Sequence, residues 1–194
     1  MSVDALEIGA VVLALAYVVL AIRENRWCWV AAFFSAALYV WIFWQVQLLM
    51  ESVLQVFYAA MAVYGWILWR DRDTTQQQGI QTLRWQTHVT IVVAIIGLSA
   101  LMGWFLRTST EAAYPYIDSF TTIAALITTV MVAHKVLENW LYWIVIDLIS
   151  VGLYINRGLD LTAALFMGYV VLALAGFWEW RKHYSTQQTA LPMS

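Results

Sequence analysis

The chain is 194 residues long, 63% hydrophobic and 11% charged, with a mean hydropathy of +0.72. Soluble domains are apolar at only about 45 to 50% of positions, so this much apolar surface exceeds what a soluble core can hide, and the chain reads as an all-α integral membrane protein. A formal net charge of −2 with no Lys/Arg-rich tract gives no footprint for nucleic acid, and one cysteine, Cys28, builds neither a disulfide nor a thiolate metal site within one chain.

A helix needs about 20 apolar residues to cross about 30 Å of hydrocarbon, and seven runs qualify. They cover residues 4–22, 27–44, 48–69, 88–106, 115–133, 139–156 and 159–180. The first opens with Asp4 and Glu7, lacks a basic leader, and reads as a retained helix rather than a signal peptide. Cys28, in the second, reads as a buried small hydrophobe. The third carries the stripe Glu51, Gln55, Tyr58, Ala62; the Gln55 amide either binds a ligand or bridges two helices. Residues 71–87 read as the one long polar connection. Pro115 opens the fifth span, which carries Asp118, Thr121 and Thr122, and Gly158 is placed to end the sixth. Residues 186–194 read as a frayed tail.

The basic residues orient the chain. With seven spans, one side receives Arg23, Arg26, Arg70, Arg72, Arg84, Lys135, Arg181 and Lys182, and the other only Arg107 and Arg157. The positive-inside bias then puts the N-terminus outside and the C-terminus in the cytoplasm.

An internal echo divides the spans. Glu24-Asn25 and Glu138-Asn139 open the second and sixth spans, with Trp29 and Trp143 at one offset; Leu38-Tyr39 returns as Leu153-Tyr154, and Gly65 to Arg70 as Gly176 to Arg181. The spacing drifts between 111 and 115 residues. The pattern predicts one membrane domain with a first repeat over about 4–69, a linking helix over about 88–106 and a second repeat over about 115–180, the two repeats running parallel. Convergence of aromatic helix ends at the membrane surface is the competing explanation.

Asp147 is the sharpest functional signal. It lies inside the otherwise uncharged run from Asn139 to Tyr154 and shares a helical face with Trp140, Trp143, Ser150 and Tyr154. A carboxylate near the bilayer centre costs about 2.5 to 3.5 kcal/mol, so it is expected to face protein or water and to mark a binding site. Tyr58, Tyr64 and Trp66 join Trp140, Trp143 and Tyr154 as rings able to sandwich a flat cation. Among the twelve tryptophans, Trp27, Trp44, Trp69, Trp85 and Trp180 fall at span ends and read as an interfacial belt. Asn139 reads first as a helix cap and second as a ligand contact.

Leu54-Gln55-Val56-Phe57, Tyr64-Gly65-Trp66 with Trp69, and Glu138-Asn139-Trp140 through Trp143 to Asp147 and Ser150 resemble the PnuC family of vitamin transporters, over nearly the whole chain from Trp27 to Arg181. The resemblance implies a SWEET-like arrangement of three plus one plus three helices in a bacterial inner membrane. It also implies facilitated diffusion without an energy source, trapping of the vitamin by a cytosolic kinase, and a homotrimer. No cofactor and no metal is implied. The family divides into nicotinamide riboside, thiamine and riboflavin branches. Ser35, Ala62, Asp147 and Ala175 stand where some riboside carriers have asparagine, and the segment Trp143 to Asp147 with Ser150 and Tyr154 is more similar to the thiamine branch. Thiamine is therefore the expected cargo and nicotinamide riboside the alternative. Both are cations that a carboxylate suits, whereas riboflavin is neutral.

Other classes fit less well. A retinal protein needs a lysine within its last helix, but the only lysines are Lys135 and Lys182. An intramembrane enzyme needs a nucleophile and base or clustered ligands, yet His88, His134 and His183 stand at span ends and no H-E-x-x-H motif occurs. A SWEET-type sugar carrier shares the expected architecture, but a sugar does not call for a central carboxylate.

Overall fold

The computed structural model describes residues 3–45, 49–70, 79–109 and 114–190. They form seven helices, α1 (Val3–Ile22), α2 (Trp27–Gln45), α3 (Leu49–Arg70), α4 (Trp85–Ser109), α5 (Pro115–Ala133), α6 (Asn139–Asn156) and α7 (Asp160–Ala190). Helices α2 to α7 are long and apolar enough to cross a membrane; the apolar part of α1, Leu6–Ile22, is shorter. The protein is an all-α, multi-pass membrane protein.

Two compact units divide the chain, Met1–Gln78 and Gly79–Ser194. In the first, α2 packs on both α1 and α3; in the second, α4 packs on α5, α5 on α6 and α6 on α7. The expected linking helix thus clusters with the second triplet. Its apolar side supplies Ile91 and Ile95 to a core completed by Phe120, Ala124 and Ile127 of α5 and by Tyr142, Trp143 and Ile146 of α6.

Three boundaries differ by more than one residue from the sequence reading. Helix α4 starts at Trp85 and runs to Ser109, overrunning 88–106 at both ends. Helix α7 continues to Ala190 rather than ending near 180, so the expected frayed tail is helical as far as it is described. Polar side chains bond within that extension. Thr186 and Thr189 bond back to the carbonyls of Lys182 and Ser185, Gln188 donates to the Tyr184 hydroxyl, and His183 pairs with Glu179 at 3.2 Å. Within the polar connection, 71–78 lie outside the described residues, but 79–84 form a strap across the α5–α6 turn. Gln81 N–H donates to the Lys135 carbonyl (3.0 Å), Leu137 N–H donates to the Gln81 carbonyl (2.8 Å), and the Gln81 amide reaches the His134 carbonyl (2.8 Å).

The two units repeat one local design at a constant offset of 111 residues. Helix α1 ends with Glu24 at φ 52°, and α5 with Lys135 at φ 53°. Asn25 N–H reaches back to the Leu20 carbonyl as Val136 N–H reaches the Met131 carbonyl, and Glu24 N–H to Ala21 as Lys135 N–H to Val132. Each turn is a Schellman closure whose left-handed position usually holds glycine. Next, Trp29 lies buried where a Cβ on Gly65 would stand and meets Trp69 edge-on at 5.5 Å. Trp140 does the same against Gly176 and Trp180 at 5.4 Å. Trp29 therefore corresponds to Trp140 and not to Trp143, and Leu38-Tyr39 does not correspond to Leu153-Tyr154. Glu24 closes α1, whereas Glu138 precedes α6. The shared Glu-Asn dipeptides are unrelated.

Candidate functional site

Helix α6 carries the central features. Asp147 is the ninth of its eighteen residues and is 5% exposed. Among the described residues no lysine, arginine or histidine is paired with its carboxylate. Trp143, one turn earlier, is half-buried and packs its ring into the α4–α5–α6 core beside Ile146. Ser150 is buried three residues later and donates to the Ile146 carbonyl at 2.9 Å, a bond within its own helix. Tyr154, in the last turn, sets its ring against Phe166 of α7 at 5.1 Å. The C-terminus of α6 closes on Gly158 at φ 71°, as its sequence position suggested.

The other candidates of this unit have evident structural employment. Asp118 pairs with Arg157 at 3.2 Å, and the Arg157 guanidinium also lies 5.2 Å over the Tyr114 ring. This joins the start of α5 to the end of α6. Thr121 donates to the Ile117 and Asp118 carbonyls of its own helix, and Thr122 is half-buried beside it. Asn139 is fully buried but does not cap α6: its Nδ2 donates to the Val136 carbonyl at 2.6 Å, and Oδ1 has no partner among the described residues. Trp140 packs against Trp180 in the glycine notch, its indole N–H also unpartnered.

In the first unit, Ser35 is buried and donates to the Ala10 carbonyl at 2.8 Å, tying α2 to α1. Gln55 and Tyr58 are half-buried on α3, and Tyr58 meets Phe57 at 5.8 Å. Tyr64 is 41% exposed. Trp66 lies between Trp27, at 5.3 Å, and the Arg26 guanidinium, at 5.4 Å, which makes it part of a helix-end cluster.

The expected tryptophan belt splits. Trp27, Trp44 and Trp85 are exposed at helix ends, but Trp69 and Trp180 are buried at 4% and 0%. Each meets edge-on the tryptophan that fills its helix's glycine notch, so proximity to a helix end misassigned them. Trp29 was matched to the wrong partner in the echo, and Tyr17, whose ring meets it at 5.8 Å, carries no sequence signal of its own. The available signal was the constant spacing of Gly65, Trp69 and Arg70 from Gly176, Trp180 and Arg181, which extrapolates to Trp29 and Trp140.

Residues 4–182 match the family model described as Nicotinamide mononucleotide transporter. The chain belongs to this family. Within the nicotinamide mononucleotide transporter family the chain is 26% identical over 166 residues to the nicotinamide riboside transporter PnuC of Escherichia coli, covering 72% of this chain and 69% of that one. It is 24% identical over 177 residues to the riboflavin/roseoflavin transporter RibM of Streptomyces davaonensis, covering 89% of this chain and 80% of that one. The fold is that of a solved relative, the Vitamin B3 transporter PnuC, with a TM-score of 0.74, 19% identity and coverage of 94% and 83%. The family is one of vitamin transporters, not enzymes.

Proposed function

We propose that this protein carries a flat, cationic vitamin across the membrane by facilitated diffusion, with nicotinamide riboside as the leading cargo. The carrying observation is Asp147, buried at mid-helix without a cationic partner among the described residues, one turn from Trp143. A buried carboxylate is costly alone and much less so beside an opposite charge. A desolvated aromatic face adds about 0.5 to 2 kcal/mol for a cation. The relatives named for nicotinamide riboside support the choice of cargo; the one named for riboflavin does not match the charge, since riboflavin is neutral.

Thiamine is the second reading. It also carries a permanent positive charge, and it is favoured by the scarcity of amides suited to ribose hydroxyls: Ser35 spends its hydroxyl on Ala10, and Ala62 is a buried alanine. Within the second unit, Asp147, Trp143, Ser150 and Tyr154 are proposed to contact cargo, with Trp140, Asn139, Thr121 and Thr122 supporting them and Asp118 serving the Arg157 pair; within the first unit, taken by itself, Gln55 and Tyr58 are the proposed contacts, supported by Tyr64 and Trp66. The basic residues favour a cytoplasmic C-terminus in a bacterial inner membrane, with a cytosolic kinase trapping the vitamin.

Equilibrium binding of nicotinamide riboside, thiamine and riboflavin to the purified protein, measured side by side, tests this reading. Tight binding of either cation and none of riboflavin is expected. Preference for riboflavin would overturn the assignment, and preference for thiamine would move the cargo to the second reading.

A further inference from the structure

We propose that His88, outside the cargo face, is a positioning residue for it: through Tyr142 and Glu138 it fixes the rotation of α6 that aims Trp143 and Asp147. This rests on the cargo reading above.

The two units begin their second helices differently. In the first, the Asn25 side chain accepts the Trp27 N–H at 3.0 Å and so secures the first turn of α2. At the constant offset of 111, Asn25 becomes Val136, which has no polar side chain, and no side-chain cap secures α6. Residues 79–88 take over. The strap pairs Gln81 with the turn, Leu83 N–H approaches Glu138 Oε2 at 3.4 Å, and Thr82 bonds the Tyr184 hydroxyl of α7 at 3.3 Å.

His88 completes the arrangement from the first turn of α4. Its Nδ1 stands 3.0 Å from the Tyr142 hydroxyl, its Nε2 faces Glu138 Oε1 at 3.7 Å, and its ring stacks on that of Tyr142 at 5.9 Å and 27°. With Nδ1 as acceptor for the tyrosine hydroxyl, the ring leaves Nε2 as the atom that faces the carboxylate, at 3.7 Å. The His88 and Glu138 side chains are only 15% and 20% exposed, so solvent competes little with the contacts.

Glu138, the helically oriented N-cap before α6, and Tyr142 are one turn apart and mark a single strip. Trp143 and Asp147 are likewise one turn apart, on a strip rotated about 140° from the first. Gripping one strip fixes the other. A side chain reaches about 5 to 6 Å from a helix axis, so a 20° roll moves its tip by about 2 Å, more than the whole working range of a hydrogen bond. The residues equivalent to Glu138 and Tyr142 in the first unit are Trp27 and Ala31, which offer no such grip, so it belongs to the unit that carries Asp147.

The test uses full-length protein in proteoliposomes. His88→Phe keeps the stacked ring and removes both polar contacts; Tyr142→Phe removes the hydroxyl; His88→Gln retains an acceptor for Tyr142 and a donor for Glu138. The proposal expects His88→Phe and Tyr142→Phe each to raise KM for the bound cation at least fivefold with Vmax nearly unchanged. The double variant should be no worse than the poorer single one, and His88→Gln should recover most of the loss. Unchanged KM in His88→Phe, or strictly multiplying effects in the double variant, overturns it. Amide exchange across 139–147 provides a second readout free of cargo and of folding yield: it should quicken in His88→Leu and return in His88→Gln, and equal rates overturn the proposal. A wild type that binds none of the cations would refute the cargo reading while leaving the exchange result to judge His88.

Discussion

Replacing Asp147 by asparagine preserves the shape of the side chain and deletes its charge, which separates packing from recognition. We expect at least a tenfold loss of affinity for the cationic cargo, about 1.4 kcal/mol, with the fold intact; titration calorimetry on wild type and variant measures it. Unaltered affinity would remove Asp147 from the site. At this scale the sequence was informative where chemistry was incongruous: a carboxylate in an apolar run announces itself, and Trp143 follows by helical spacing. It was silent where a partner is distant in the chain. Nothing local to Asp118 reveals Arg157, 39 residues on, and nothing local to Asn139 shows that its amide turns back to Val136 instead of capping the helix. Trp69 and Trp180 misled for a related reason, since position near a helix end and burial are independent properties.

Among elements, hydrophobic length did most of the work: α5 and α6 begin and end where their apolar runs do. Helix α7 runs ten residues beyond its apolar run on a polar sequence whose side chains bond within the helix, and polar residues at a helix end resemble a tail. The turns after α1 and α5 were hidden because Glu24 and Lys135 occupy positions where glycine would have signalled them. The glycines that do matter receive tryptophan rings. Gly65→Leu and Gly176→Leu should each lower the thermal midpoint of the purified protein by several degrees, as overpacking costs about 1 to 3 kcal/mol. Gly97→Leu, where an added Cβ meets nothing within 4 Å, is the control and should change little. In the strap, Gln81→Pro deletes the N–H that meets Lys135. It should accelerate amide exchange in residues 135–139 while leaving α2 unaffected.

For the whole molecule, the composition and the seven apolar runs were enough to give an all-α membrane protein, and the family match over residues 4–182 agrees with the motifs that suggested it. The local design shared by the two units was legible only in part, because the sequence echoes at 111 match it and those at 114 and 115 do not. Orientation is testable directly. Single cysteines at 157 and at 187, in a Cys28→Ser background, should react with an impermeant maleimide from outside and only after lysis, respectively; the reverse result would invert the topology. Transport offers another test. A carrier that moves a cation without coupling responds to membrane potential, since one charge through 100 mV is worth about 2.3 kcal/mol, or about a fifty-fold concentration ratio. Valinomycin with a potassium gradient, interior negative, should therefore raise the steady-state vitamin content of proteoliposomes, and no response would exclude uncoupled cation movement.

The solitary carboxylate of α6 also constrains the return stroke. Having delivered its passenger, the carrier must come back with a bare anion, with a borrowed proton, or with a second vitamin picked up on the far side, and the last needs no new compensation for the charge. Swapping labelled for unlabelled vitamin should then outrun one-way entry, leaving the empty homeward leg as the slow part of the cycle.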